Sequence, residues 1–297
     1  MVRSRSETNV AFERSKADKA KTKLVIPARN RRQERIESSS KNKPVTQGVS
    51  IPRVSLKGLH QGSFAELANL EKACKEVGFV YMTDFGVSQK ELDKVYQVSR
   101  EFFALPLHLK KTFDHSNQTI FPNNSRGYVS LYSEILHPSV GADNKESFDL
   151  GAERELGGPF VGPTNMPSNE QLPNFRATLF GMQEKVINSI CPTLLESFAQ
   201  ILGFEPTYFF KCFKDPNFIQ RIIRYPPQHS FAGKHTDGGL FTLLFQEELT
   251  QPSLRAKTKE GGWLDVKAEK DTFVLNIGDM LQKWSAGMFI SLSLIHI

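Results

Sequence analysis

At 297 residues, with 39% hydrophobic and 24% charged residues, the chain has the size and composition of one large globular domain or two small ones. No uninterrupted apolar run approaches the ~18 residues of a membrane span, and the N-terminus has no secretory h-region. Three cysteines, Cys74, Cys191 and Cys212, are an odd number without metal-like spacing, which points to a reduced, cytoplasmic setting with the thiols as small buried hydrophobes.

The net charge of +6 is unevenly divided. Residues 1–50 hold 13 Lys/Arg and five acids, a local +8, which leaves −2 for the rest. The basic, Ser-rich segment 1–48 reads as a disordered tail with little to bury. Arg31-Arg32-Gln-Glu-Arg35 could act as a nuclear address or an RNA contact. Because the basicity is confined to this tail, the composition argues against a nucleic-acid-binding domain. Its interspersed Glu7, Glu13 and Asp18 argue against a mitochondrial leader.

From Ile51 the pattern becomes regular. Ile51–Leu56 alternates like a short strand, and apolar residues at 64, 67, 70, 73, 74 and 77 have helical spacing, with Gly78 as the stop. Phe79–Met82 reads as a strand. A second helix is predicted from Ser88 to Leu105, with Ser88 and Glu91 forming a capping box and Pro106 beyond its end. A third covers Gln171–Leu202, with Pro192 predicting a kink or break. Thereafter short apolar runs follow one another, and Ile219–Tyr225, Leu240–Phe245, Trp263–Val266 and Phe273–Ile277 all read as strands. Helices followed by strands imply an α+β fold with helices outside a β core.

The chemistry concentrates in His235-Thr236-Asp237. Residues two apart on an extended strand share a face, so one imidazole and one carboxylate can reach a single ion. A mixed nitrogen and oxygen set suits a borderline divalent metal, and two histidines with one carboxylate suit non-haem Fe(II). The tripeptide alone is a weak signal.

Its context is stronger. Gly78-Phe79-Val80, Phe102-Phe103, Pro106, Lys110, Arg126-Gly127-Tyr128, Lys145-Glu146, Phe148-Asp149, Gly162-Pro163 and Met166-Pro167 precede it. Arg224-Tyr225-Pro226-Pro227, His235-Thr236-Asp237-Gly238-Gly239, Gly262-Trp263, Asp265-Val266, Asn276, Gly278-Asp279-Met280 and Trp284 complete the series. From about 51 to 291 the chain resembles the isopenicillin N synthase-like branch of the 2-oxoglutarate- and Fe(II)-dependent dioxygenases. The resemblance implies a double-stranded β-helix (jelly-roll) core, with 49–168 as the N-terminal region and 169–297 as the dioxygenase core. It implies an oxidoreductase that uses Fe(II), 2-oxoglutarate and dioxygen to hydroxylate or oxidise a small organic substrate. His235 and Asp237 would be metal ligands, and Tyr225 would hydrogen-bond the keto acid carboxylate or simply pack at the strand start. Asn276, Gly278 and Asp279 look like a turn shaping the barrel wall, and Gly238 and Gly239 like points of close backbone approach.

After Trp284 the chain departs from the family pattern. Aligned on Gly287, Phe289 and Ser291, the expected third ligand, a histidine, is replaced by Leu294, and the Arg-x-Ser unit that pairs with the distal carboxylate of 2-oxoglutarate is not found. The expectation is an incomplete copy with its last strands missing, a poorly stable fold and impaired activity. The alternative is a non-catalytic product that binds a partner or a complete subunit. His296 shares the face of position 294 but is displaced by roughly 6–7 Å, too far for a ligand without a register change. His229 could reach the pocket mouth, whereas His60, His108, His115 and His137 read as surface or packing residues.

Overall fold

The computed structural model describes residues 50–117, 126–137, 141–153, 162–213, 216–226, 232–247 and 254–296. The basic tail and His229 lie outside the described residues.

Strand β1 (Arg53–Ser55) runs into helix α1 (Leu56–His60), capped by Ser55, whose Oγ accepts from Gly58 N. The short helix was not expected: its Leu56 and Leu59 are the apolar residues that bury it. Helix α2 (Phe64–Glu76) ends as the sequence predicts, with Gly78 at φ +71°. A side chain at Gly78 would also meet the Ile290 carbonyl at 2.6 Å, so both φ and the close chain passage require glycine there. Strand β2 (Phe79–Thr83) leads to helix α3 (Gln89–Ala104), which carries the predicted Ser88/Glu91 capping box. Pro106 then opens helix α4 (Leu107–Thr112).

Two strands missed in the sequence follow, β3 (Gly127–Val129) and β4 (Glu146–Gly151). Both are short and buried on both faces, so neither shows the alternation that reveals a half-exposed strand. The single helix expected over 171–202 is two, α5 (Phe175–Lys185) and α6 (Cys191–Ile201), joined by a π-helical turn over Val186–Ile190. Pro192 lacks the donor that a continuous ladder needs, and the wider turn precedes it. Helix α7 (Tyr208–Cys212) leads to the strands β5 (Ile219–Arg224), β6 (Ala232–His235), β7 (Phe241–Leu244), β8 (Leu254–Lys257), β9 (Trp263–Val266) and β10 (Phe273–Ile277). Helix α8 (Asp279–Trp284) and strand β11 (Leu294–His296) close the described chain.

The strands form three sheets, ordered β1-β2-β10-β7, β6-β11-β8-β9 and β3-β4-β5. Phe79, Tyr81 and Val274 of the first sheet pack with Leu254, Ala256, Val266 and Leu294 of the second, so these two sheets share one apolar layer. The outer face of the first sheet meets α1, α2, α6 and α7 through Leu70, Leu194, Phe198 and Phe209. The third sheet packs against α3 and α5, where Phe102 stacks on Phe175 at 5.0 Å and meets Phe148 edge-on at 4.9 Å. The architecture is α+β, with helices supporting a paired-sheet core. Among the described residues no helix is long and apolar enough to cross a membrane.

Candidate metal centre

His235 is the last residue of β6, and Asp237 lies two residues on, in the loop to β7. His235 Nδ1 is 2.7 Å from the Gly233 carbonyl. A carbonyl only accepts, so Nδ1 carries a ring proton and Nε2 is the nitrogen left for an ion. That Nε2 is 3.7 Å from Asp237 Oδ1. The other carboxylate oxygen, Oδ2, accepts from Thr242 Oγ1 at 2.5 Å and Asn276 Nδ2 at 2.9 Å. One oxygen of Asp237 is therefore anchored, and the second is turned towards the imidazole.

Thr242 and Asn276 are the residues that the sequence did not single out for this role. Asn276 was expected in a turn, but it lies inside β10, opposite Thr242 of β7. Cross-strand partners point to the same face, which is why both reach one carboxylate. A polar Asn flanked by Leu275 and Ile277 in a fully buried strand was the available signal. Gly278 and Asp279 do shape the wall: Asp279 N donates to the Asp237 carbonyl at 2.7 Å, and Thr236 Oγ1 donates to Asp279 Oδ2 at 2.9 Å. Close backbone approach was expected at Gly238 and Gly239, yet a Cβ on either would meet nothing within 4 Å. The approach is at Gly278, where a Cβ would run into the Gly239 carbonyl.

Strand β11 lies beside β6, with Leu294 directly opposite His235. Leu294 is buried in the layer between the sheets and offers no donor atom. His296 pairs with Ala232, so the register slips by one residue between Leu294 and His296 and carries His296 further from His235. Its ring lies 6.3 Å from that of His235, at an interplanar angle of 16°. Two imidazoles on adjacent corners of one metal would sit about 4.5 Å apart, given metal–nitrogen bonds of about 2.1 Å. Among the described residues no three His, Cys, Asp or Glu side chains are assembled to hold a metal.

Tyr225, which follows β5, also stacks on His296, at 5.1 Å and 19°. Burial, followed by the nearby Asp143, raises the Tyr225 phenol above its ordinary range, so its hydroxyl stays protonated. Burial, with His235 and Lys145 beside it, pushes the His296 imidazole down to about 3 against the opposing pull of Asp237, leaving it neutral. Beside this group the third sheet carries a charged face. Arg221 grips Asp149 through Nε at 2.7 Å and a terminal nitrogen at 2.6 Å, and both its terminal nitrogens reach Glu134 at 3.1 Å. Lys145 also pairs with Glu134.

On the opposite face Lys110, Tyr128 and Arg224 converge on the buried Glu146 at 2.7, 2.6 and 2.6 Å. Burial pushes the Glu146 carboxyl up, but these three bonds outweigh it and hold it below its ordinary value. A surface hollow of about 280 Å³, lined by Arg53, Thr83, Asp84 and Lys270, contains none of the site residues chosen from the sequence.

An imidazole and an anchored carboxylate thus lie side by side at the end of a two-sheet core. Comparisons with known proteins place the chain in a family. Residues 51–172 match the model for the N-terminal region of non-haem dioxygenases in morphine synthesis, and residues 215–293 match the 2OG-Fe(II) oxygenase superfamily. A homoarginine-6-hydroxylase of Arabidopsis thaliana is 30% identical over 240 residues, 75% of this chain and 69% of the relative. A second Arabidopsis thaliana homoarginine-6-hydroxylase is 29% identical over 232 residues; that match takes in 76% of this chain but only 63% of the relative's length. Among solved structures, a full-length Neurospora crassa protein crystallised in complex with alpha-KG superposes with a TM-score of 0.73 at 23% identity, covering 86% of this chain and 81% of that one. The chain belongs to the 2-oxoglutarate- and Fe(II)-dependent oxygenase superfamily, whose metal is Fe(II) and whose cosubstrate is 2-oxoglutarate.

Proposed function

We propose that the chain derives from an oxidoreductase that hydroxylates or oxidises a small organic molecule, with His235 and Asp237 as its two metal ligands. The observation that carries this reading is the 3.7 Å approach of His235 Nε2 to Asp237 Oδ1, with Asp237 Oδ2 held by Thr242 and Asn276. A neutral imidazole and a carboxylate are the donors that Fe(II) takes in such centres. Bound there, the iron would supply dioxygen activation, coupled to conversion of 2-oxoglutarate to succinate and CO₂. The chain's own contribution is to orient the two donors, keep the Tyr225 hydroxyl protonated and wall the site with the apolar layer between the sheets. The relatives named for homoarginine suggest a polar small-molecule substrate, and the charged face of Arg221, Lys145, Glu134 and Asp149 is compatible with one.

A second reading, a non-catalytic protein that acts by binding, is favoured by Leu294. It occupies the position opposite His235 where the family resemblance calls for a histidine. The two readings separate in one experiment under anaerobic conditions. Fe(II) uptake that disappears in His235→Ala, followed by succinate formation when dioxygen and 2-oxoglutarate are added, supports the oxygenase. Uptake without succinate favours the binding protein, and no uptake removes the metal centre from both readings.

A further inference from the structure

The His296 ring packs near-parallel to two others, His235 at 6.3 Å and 16° and Tyr225 at 5.1 Å and 19°, so it contacts both. If His235 holds the metal and Tyr225 hydrogen-bonds the keto acid carboxylate, as the family resemblance implies, a bound keto acid would have to reach from one of these residues to the other. His296 is in ring contact with both.

The spacings leave no layer for a second occupant. Non-bonded carbon atoms settle at about 3.5–4.0 Å, so a planar group inserted between two rings needs them about 7 Å apart. Neither gap reaches that, and 5.1 Å is already ordinary contact for an aromatic pair. His296 is also fixed from behind. Its strand pairs with Ala232 on one side and with Leu254 on the other, so the backbone cannot withdraw without breaking both ladders. The slip in register between Leu294 and His296 sets where the ring falls, beside Tyr225 and away from the metal pair.

We infer that His296 fills the cosubstrate's passage between the His235/Asp237 pair and Tyr225, so that the site takes up a divalent metal and excludes a keto acid. This rests on the reading of His235 and Asp237 as metal ligands. His296 acts here as a space-filling residue and leaves the metal alone, a distinction that two substitutions expose. His296→Ala removes the ring, whereas His296→Phe keeps the ring and removes its nitrogens. His296→Ser is a second opening variant, should the alanine variant fail to fold.

The test uses the full chain. Mn(II) uptake is followed by the paramagnetic signal of the free ion, and 2-oxoglutarate binding to the Mn(II)-loaded protein by calorimetry, with thermal transitions recorded for every variant. Expected is Mn(II) affinity within threefold across wild type, His296→Ala, His296→Ser and His296→Phe. The 2-oxoglutarate affinity should rise at least tenfold in the alanine and serine variants and stay at the wild-type level in His296→Phe. Wild type that binds 2-oxoglutarate as tightly as the opened variants overturns the inference, as do folded opened variants that gain nothing. A tenfold loss of Mn(II) in both the alanine and phenylalanine variants overturns it too, by making His296 a ligand. Absence of Mn(II) binding in every form removes the metal reading itself and the inference with it, whereas metal uptake with unaltered 2-oxoglutarate affinity defeats the inference alone.

Discussion

The two side chains that hold Asp237 offer a direct test of the centre. Thr242→Val removes a hydroxyl donor at nearly constant volume, and Asn276→Ala removes the amide donor; both bonds end on Asp237 Oδ2, at 2.5 and 2.9 Å. A hydrogen bond to a charged acceptor is worth about 1.5–3 kcal/mol. The Asp237 side chain keeps 23% of its surface in water, which can replace part of each bond, so the stability cost should fall near or below the lower bound. The larger effect should be on metal affinity, because an unanchored carboxylate must be ordered when the ion binds. Outer-shell losses of this kind cost about 10–100-fold in affinity, or about 1.4–2.7 kcal/mol. Thr242→Val alone should weaken Mn(II) binding about tenfold and the double variant nearer a hundredfold. Thr242→Ser, which restores the hydroxyl, should bind like wild type. Anaerobic Mn(II) titrations on protein with an intact thermal transition measure this. A double variant within threefold of wild type refutes the argument that these bonds preorganise the carboxylate.

Three further outcomes are expected. If His235 and Asp237 are the metal ligands, wild type should bind Mn(II) no more tightly than the micromolar range, and Leu294→His, opposite His235 in register, should tighten it at least tenfold; an unchanged affinity in folded protein would mean that position 294 does not face the metal. Glu146→Gln leaves the Lys110 ammonium, only 8% exposed, without its counter-charge, and should lower unfolding stability by about 3–5 kcal/mol at pH 7. Because the Glu146 carboxyl is held below its unfolded value of about 4.3, its contribution is complete above that pH and is lost as pH falls through the folded value. Urea midpoints for wild type and Glu146→Gln should therefore converge in acid, and a gap that persists there contradicts the network. Finally, deleting residues 1–48, which offer almost nothing to bury, should move the thermal transition by no more than about a degree; a larger drop would show that the tail docks.

The part of the fold that is written locally could be read from the chain itself. Helical spacing, the Ser88/Glu91 box, Gly78 and Pro192 are short-range devices, and they place α2, α3 and the break between α5 and α6 within a few residues. The strands β9 and β10 were legible as bounded apolar runs, and the His235/Asp237 pair as two donors at a strand end. Whatever depends on which strand lies beside which was set by tertiary packing. Strands β3 and β4 are buried on both faces, β3 is only three residues long and β4 carries the charged Glu146 and Asp149 inside, so neither alternation nor hydrophobicity announced them. Thr242 and Asn276 are 34 residues apart and meet at Asp237 only because β7 pairs with β10. Lys110, Tyr128 and Arg224 find Glu146 through the third sheet and α4. The position of His296 was the least legible of all. Strand periodicity gave its face correctly, but a one-residue slip against β6 and the stacking of three rings set where the imidazole lies, and those are consequences of register and packing that no local pattern encodes.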